Sequence, residues 1–140
     1  MPPTLKIGEP APPFALTGVD DHTHAHKDAA SAKVVVVIFS CNHCPYAQAY
    51  EARLVALANE FQDTGVAFFV INSNDDENYP QDSFPEMKKR AKARGFPFPY
   101  LRDETQDVAA QYGAEVTPDC FVFNEKRKLA YRGRVDDNWK

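Results

Sequence analysis

"FSCNHCPYAQAYEARL" (Phe39 to Leu54) changes character twice. It closes an unbroken apolar run, "KVVVVIF" (Lys33 to Phe39), and sets Cys41 and Cys44 in a C-x-x-C spacing. It then opens a stretch in which Tyr46, Tyr50, Leu54, Leu57 and Phe61 recur every three to four positions. The run is short, β-branched and without alternation. That predicts a strand covered on both faces, at the centre of a sheet flanked by helices. The recurrence is one stripe of a helix, and Gly65 supplies its stop. The cysteine pair therefore sits where a buried strand gives way to a helix.

The same reading extends outward. "IGEPAPPFAL" predicts a Pro-rich extended arm leading into a short strand, and "VDDHTHAHKD" a turn plus a polar strand. "VAFFVINS" (Val66 to Ser73) predicts a second buried strand, followed by a polar loop, "NDDENYPQD". Ser83 and Glu86 form a capping box with Pro85 in the first turn of a helix that runs to about Gly95. "FPFPYLRD" carries Pro97 and Pro99 and reads as a loop or edge segment. "ETQDVAAQYG" is a short helix closed by Gly113, and "DCFVFN" and "KLAYRGRV" are two strands joined by a charged turn. Strands interleaved with helices, then a terminal hairpin, define an α/β fold with a mixed sheet.

The chain has 140 residues, 44% of them hydrophobic, enough for one domain with a sizeable core. A net charge of −4 gives no basic patch of the kind that binds nucleic acid. The local cluster "KKRAKARG" (Lys88 to Gly95) reads as a solvated helix face. No signal-peptide pattern opens the sequence and no stretch reaches the length of a membrane span. The expectation is a soluble cytoplasmic protein, with no nucleic acid and no membrane as partner.

Three cysteines are too few for a disulfide framework, and a C-x-x-C beside a βα pattern reads first as a redox motif. At a helix start the orphan N–H groups and the dipole favour an anion, and a thiolate is one. That environment lowers the pKa of the first cysteine, and Pro45 fits a turn that needs no donor there. His43, between the cysteines, is placed to stabilise the Cys41 thiolate. Each unit of depression is about 1.4 kcal/mol in favour of the ionised form. Cys41 is then the nucleophile and Cys44 the resolving thiol. The alternatives are half of a zinc or copper site, lacking a second cysteine pair, and two structural thiols. A second signal is Thr117-Pro118 at the mouth of "DCFVFN", where a proline can be cis.

With both signals in place, the chain resembles the thioredoxin-fold superfamily. More narrowly it resembles the thioredoxin-like and peroxiredoxin-like proteins of the alkyl hydroperoxide reductase/thiol-specific antioxidant group. "IGEPAPPFALTGVDD" resembles that group's N-terminal hairpin, "VVVVIFSCNHCPY" its strand and active-site motif, "VTPDCFVFN" its cis-proline loop and "KLAYRGRVDDNW" its final hairpin. The resemblance implies a thioredoxin-like fold with an N-terminal hairpin extension. It also implies a thiol–disulfide oxidoreductase with Cys41, Cys44, His43 and Pro118 catalytic and with Asn42 and Thr117 meeting the substrate. It implies no cofactor. The partners would be a disulfide-containing protein or a small thiol or peroxide, together with a cellular thiol reductant. Asn42-His43 is similar to the Gly-His of protein disulfide isomerases, which goes with a couple toward about −180 mV rather than about −270 mV.

The sequence departs from the family patterns in three places. Val35 stands where thioredoxins carry a buried acid, so Cys44 has no obvious proton acceptor, with His43, Asp119 or a water as candidates. Neither cysteine aligns with the P-x-x-x-T-x-x-C pattern of peroxiredoxins, which leaves a thiol-dependent peroxidase as the alternative. The pattern stops at "DDNWK", so the single domain over 1–140 is expected to lack a final helix and to leave an apolar patch near the terminal hairpin. Among lesser candidates, His22, His24 and His26 would share one face if strand-like and could hold a metal. Cys120 is expected to be an inward-facing core thiol.

Overall fold

The structure, a computed structural model, describes residues 5–29, 31–40, 42, 45–61, 64–74, 77, 79–114 and 119–133. Their elements run in the order β1 (Ala15–Gly18), β2 (Thr23–Ala25), a 3₁₀ turn (His26–Ala29), β3 (Val34–Ser40), α1 (Pro45–Glu60) and β4 (Val66–Asn72). A second 3₁₀ turn (Pro80–Asp82), α2 (Phe84–Arg94), β5 (Tyr100–Arg102), α3 (Asp107–Tyr112), β6 (Asp119–Phe123) and β7 (Leu129–Gly133) follow. The strands form one mixed sheet in the order β2-β1-β5-β4-β3-β6-β7. β3 lies parallel to β4 and antiparallel to β6, and β4 lies parallel to β5.

The apolar run behaves as a two-sided strand. Val35, Val37 and Phe39 enter one cluster, with Phe14, Phe69, Ile71, Tyr112, Phe121 and Phe123. Val36 and Ile38 enter the other, with Leu54, Ala58, Val70, Met87 and Tyr100. On the first face aromatic rings meet edge to face, Phe39 on Phe121 at 5.7 Å and Tyr112 on Phe121 at 5.4 Å.

The helix signals hold at the ends of α2 and α3, but the capping box forms on one side only, since the Ser83 N–H donates to the Pro80 carbonyl, and α1 ends at Glu60, ahead of Gly65. The Ser83 side chain accepts from the Glu86 amide at α2's start, and Gly95 ends that helix at φ 62°. Gly113 closes α3 at φ 69°. At the other end of α3, the Asp103 carboxylate accepts from the Val108 and Ala109 amides.

Two expectations are corrected. "FPFPYLRD" is not an edge. Its residues 100–102 form β5, wholly buried and hydrogen-bonded between β1 and β4. Both prolines precede the strand, and Pro99 needs only its carbonyl, which accepts from Val70. Second, the sequence places the helix from Tyr46 on one face of the sheet and the helix from Ser83 on the other, whereas α1 and α2 share a face. Leu54 and Ala58 of α1 and Met87 of α2 share one cluster. The opposite face is closed by Val108 and Tyr112 of α3 and by Leu5 and Phe14 of the N-terminal arm. Beside α1, half-buried Val34, Val66, Phe68 and Val122 line an apolar groove of about 350 Å³ that Phe61 and Tyr131 border. Phe61 lies past the end of α1 and is 38% exposed, so it does not complete the helix's buried stripe.

Candidate functional site

β3 ends at Ser40 and α1 begins at Pro45, so the chain turns from strand to helix within the cysteine motif. Of the expected site residues, Cys41, His43, Cys44, Thr117 and Pro118 lie outside the described residues, and Asn42 lies within them. The strands fix where the two motifs emerge. Ser40 pairs with Asn72 and Asn72 with Arg102, so β3, β4 and β5 all end at one edge of the sheet. Phe39 pairs with Asp119, the first residue of antiparallel β6. The cysteine motif thus leaves the sheet, and the Thr-Pro motif enters it, at the same end. This is the carboxyl end of the parallel strands, where open α/β sheets place their ligands.

Asn42 is turned inward. It is 4% exposed, and each of its polar groups is held. Its amide donates to Asp82 Oδ1 at 2.5 Å, and its Nδ2 donates to the Gln81 carbonyl at 2.7 Å. Tyr100 Oη donates to Asn42 Oδ1 at 2.7 Å, and Gln48 Nε2 to the Asn42 carbonyl at 2.6 Å. Asn42 therefore ties the cysteine motif to the wall behind it.

That wall is a buried polar cluster. Asp82 and Asn72 are both 0% exposed. Asn72 Nδ2 donates to Asp82 Oδ1 at 3.1 Å, and Asn74 Nδ2 to Asp82 Oδ2 at 3.3 Å. Arg102 donates to the Asn72 and Asn74 carbonyls. No buried side-chain nitrogen or oxygen among the described residues lacks a partner, as a polar cluster in low dielectric requires. Sequence reasoning missed Asp82. It stands between a proline and a helix cap, in a loop that reads as solvated. Only its contact with a residue forty positions earlier reveals it.

Around this wall lies a polar cleft of about 590 Å³, bordered by Asn42, Gln48, Gln81, Lys89, Arg90 and Arg94. Arg90 pairs with Glu51 through two nitrogens, at 2.5 and 2.8 Å, and so ties α2 to α1. Asp119, a proton-acceptor candidate from the sequence, is 4% exposed and bonded to Arg132 at 3.1 Å.

The lesser candidates separate. Cys120 faces the core, 7% exposed. Burial, with the Asp119 charge beside it, pushes its thiol up to about 12. The three histidines do not share a strand face. β2 ends at Ala25, His24 bonds to Asp20 at 2.9 Å, and His26 packs on Phe14 at 5.8 Å. Among the described residues no three histidine, cysteine or acidic side chains gather as a metal would need. No helix among them is long and apolar enough to cross a membrane.

A mixed seven-stranded sheet with flanking helices defines the thioredoxin-like class. The thioredoxin domain of a thiol-disulfide oxidoreductase from Bacteroides vulgatus shares it, at TM-score 0.81 and 17% identity over 96% of this chain and 92% of that one. The sequence model of the AhpC/TSA family matches residues 7–132, and the chain belongs to that family. An uncharacterized conserved protein from Geobacillus kaustophilus is 48% identical, at TM-score 0.93, over 96% of this chain and 72% of its own. A peroxidoxin from Mycobacterium tuberculosis has TM-score 0.78 and 21% identity over 96% of this chain and 89% of its own, a likeness of fold. Among curated proteins none matches.

Proposed function

We propose that the protein is a thiol–disulfide oxidoreductase that cycles Cys41 and Cys44 between dithiol and disulfide. The observation that carries this reading is the anchored strand-to-helix turn. The motif is bounded by Ser40 and Pro45 and fixed through Asn42, and it lies at the sheet end where β6 also begins. A helix start leaves N–H groups without partners inside the helix, which suits a thiolate.

In the cycle, the Cys41 thiolate attacks one sulfur of a substrate disulfide. A Cys41–substrate disulfide forms and one substrate thiolate leaves, taking a proton. The Cys44 thiolate then attacks the Cys41 sulfur, forming the Cys41–Cys44 disulfide and expelling the second substrate thiolate. Two electrons pass to the substrate, and a cellular thiol reductant returns them. His43 would stabilise the Cys41 thiolate, and Thr117-Pro118 would present backbone to an extended substrate as an added strand does.

The test is thiol stoichiometry. Oxidation should remove two thiols, reversibly with dithiothreitol. Cys41→Ser should abolish disulfide reduction, and Cys44→Ser should trap mixed disulfides. Faster alkylation of Cys44 than of Cys41 at neutral pH would refute the assigned roles.

Family membership supports a second reading, a thiol-dependent peroxidase that uses the same dithiol. Saturable peroxide turnover would favour it. Metal retained through dialysis, with both cysteines protected from alkylation, would favour a copper or zinc protein instead.

A further inference from the structure

The N–H that Asp82 accepts belongs to the peptide joining Cys41 to Asn42. A fully buried carboxylate is thus hydrogen-bonded to the backbone of the cysteine motif, across forty residues of sequence. Burying a carboxylate is costly, and the cost is met here by converging donors from three segments: Asn42 beyond β3, Asn72 at the end of β4, and Asn74 in the loop after it. Tyr100, which donates to Asn42, is held in turn by Asn72. The cluster is more than loop packing needs, since a neutral side chain would anchor the turn at lower cost.

We infer that Asp82 is the positioning residue of the Cys41–Cys44 couple: its carboxylate fixes the peptide between the cysteines and sets its charge against a second one on Cys41. This rests on the thiol–disulfide reading above. Two effects follow from one side chain. Its oxygen orients the peptide that leads into the helix start, where a thiolate finds its N–H partners. Its charge, held on the N–H of the residue that follows Cys41, opposes thiolate formation there, because a nearby like charge disfavours the ionised form. In thioredoxins, by the resemblance noted above, a buried acid comes from the strand before the cysteines. Here Val35 holds that position, and the acid comes from the other side of the motif, at the end of the 3₁₀ turn. Among the described residues, the other charged or titratable groups near this wall include Arg102, Tyr100 and Asp103 beside Asn72, and Glu86, Lys89, Arg94 and the Arg90–Glu51 pair along the cleft.

Asp82→Asn separates the two effects. It keeps Oδ1 for the Asn42 amide and removes the charge. The new amide nitrogen takes the place of Oδ2 and meets Asn74, which is half-buried and can turn to water. The pH midpoint for alkylation of Cys41 by iodoacetamide should fall by about one unit. The equilibrium constant for reduction of the Cys41–Cys44 disulfide by glutathione should rise about tenfold, which is about 30 mV in potential. A structural role alone would lower stability and leave both quantities in place. Unchanged midpoint and potential in a folded variant overturn the inference and leave the oxidoreductase reading standing. A wild-type chain that forms no reversible Cys41–Cys44 disulfide overturns both.

Should Asp82→Asn fail to fold, the wild-type chain still decides. The Asn42 amide proton should exchange slowly, and its chemical shift should respond to reduction of the disulfide. Exchange at the rate of an open loop would overturn the inference.

Discussion

Cys120 inside β6 and the turn that follows β3 differ in nearly everything that governs a thiol. Cys120 sits inside β6, opposite Ile38 of β3. The backbone there is committed to the ladder and its surroundings are apolar. With Asp119 alongside, its thiol is pushed up to about 12. The turn between β3 and α1 begins three residues beyond Ile38, past the end of the ladder and ahead of a helix start. Backbone N–H groups at such a start are uncommitted, and the motif is joined to a polar wall through Asn42. The lesson is that a thiol's chemistry follows from what the backbone beside it has left to offer, more than from its distance along the sheet.

The largest effect that could break this comparison is loss of activity. Cys41→Ser should reduce disulfide reduction to background, while Cys120→Ala should leave it within about twofold and cost only about 1 kcal/mol of stability, as a small core truncation does. If Cys120→Ala abolishes turnover, the strand thiol has been misjudged. Next in size is reactivity. At a pKa of about 12, roughly one Cys120 thiol in 10⁵ is ionised at pH 7. Iodoacetamide should therefore consume Cys41 at least about a thousandfold faster than Cys120 in the native protein, as peptide mapping would record.

The anchoring side of the comparison is sharpened by Tyr100→Phe, which removes the hydroxyl that donates to Asn42 Oδ1. Urea unfolding should show a loss of about 1 kcal/mol. No loss would mean that the anchor contributes nothing.

The smallest effect is a pH term away from the site. Burial, with Arg127 and Lys27 adding to it, holds the His26 imidazolium below its ordinary range. The folded state therefore resists a proton that the unfolded chain accepts. Stability should be level above about pH 6.5 and should fall as the pH drops below it toward the folded value. His26→Gln should flatten that slope between about pH 7 and 5.5 in thermal melts.

Much of this was legible in sequence, for local reasons. A short, continuous, β-branched run reads as a strand buried on both faces. Ser83 with Glu86, and Gly95 and Gly113 after helical stretches, mark helix ends through backbone chemistry that needs no distant partner. What local reasoning could not reach depends on three-dimensional neighbours. Pro97 and Pro99 make residues 96–103 read as a loop or edge segment, because the signal cannot tell a proline within a strand from one just ahead of it. The face that a helix covers depends on its crossover, so α1 and α2 were expected apart and lie together. Asp82 has the local sequence of a solvated turn and owes its burial to Asn42, Asn72 and Asn74. Asn42 was legible as part of the motif, but its inward direction was not.

The most direct test of the central claim is a thiol map of the oxidised protein. The chain would be treated with an excess of oxidised glutathione, alkylated under denaturing conditions and read by intact-mass and peptide mass spectrometry. The account predicts a loss of two hydrogens, one alkyl group on Cys120, a Cys41–Cys44 linkage, and full reversal by dithiothreitol. Three alkylated cysteines, or a disulfide that includes Cys120, would contradict it.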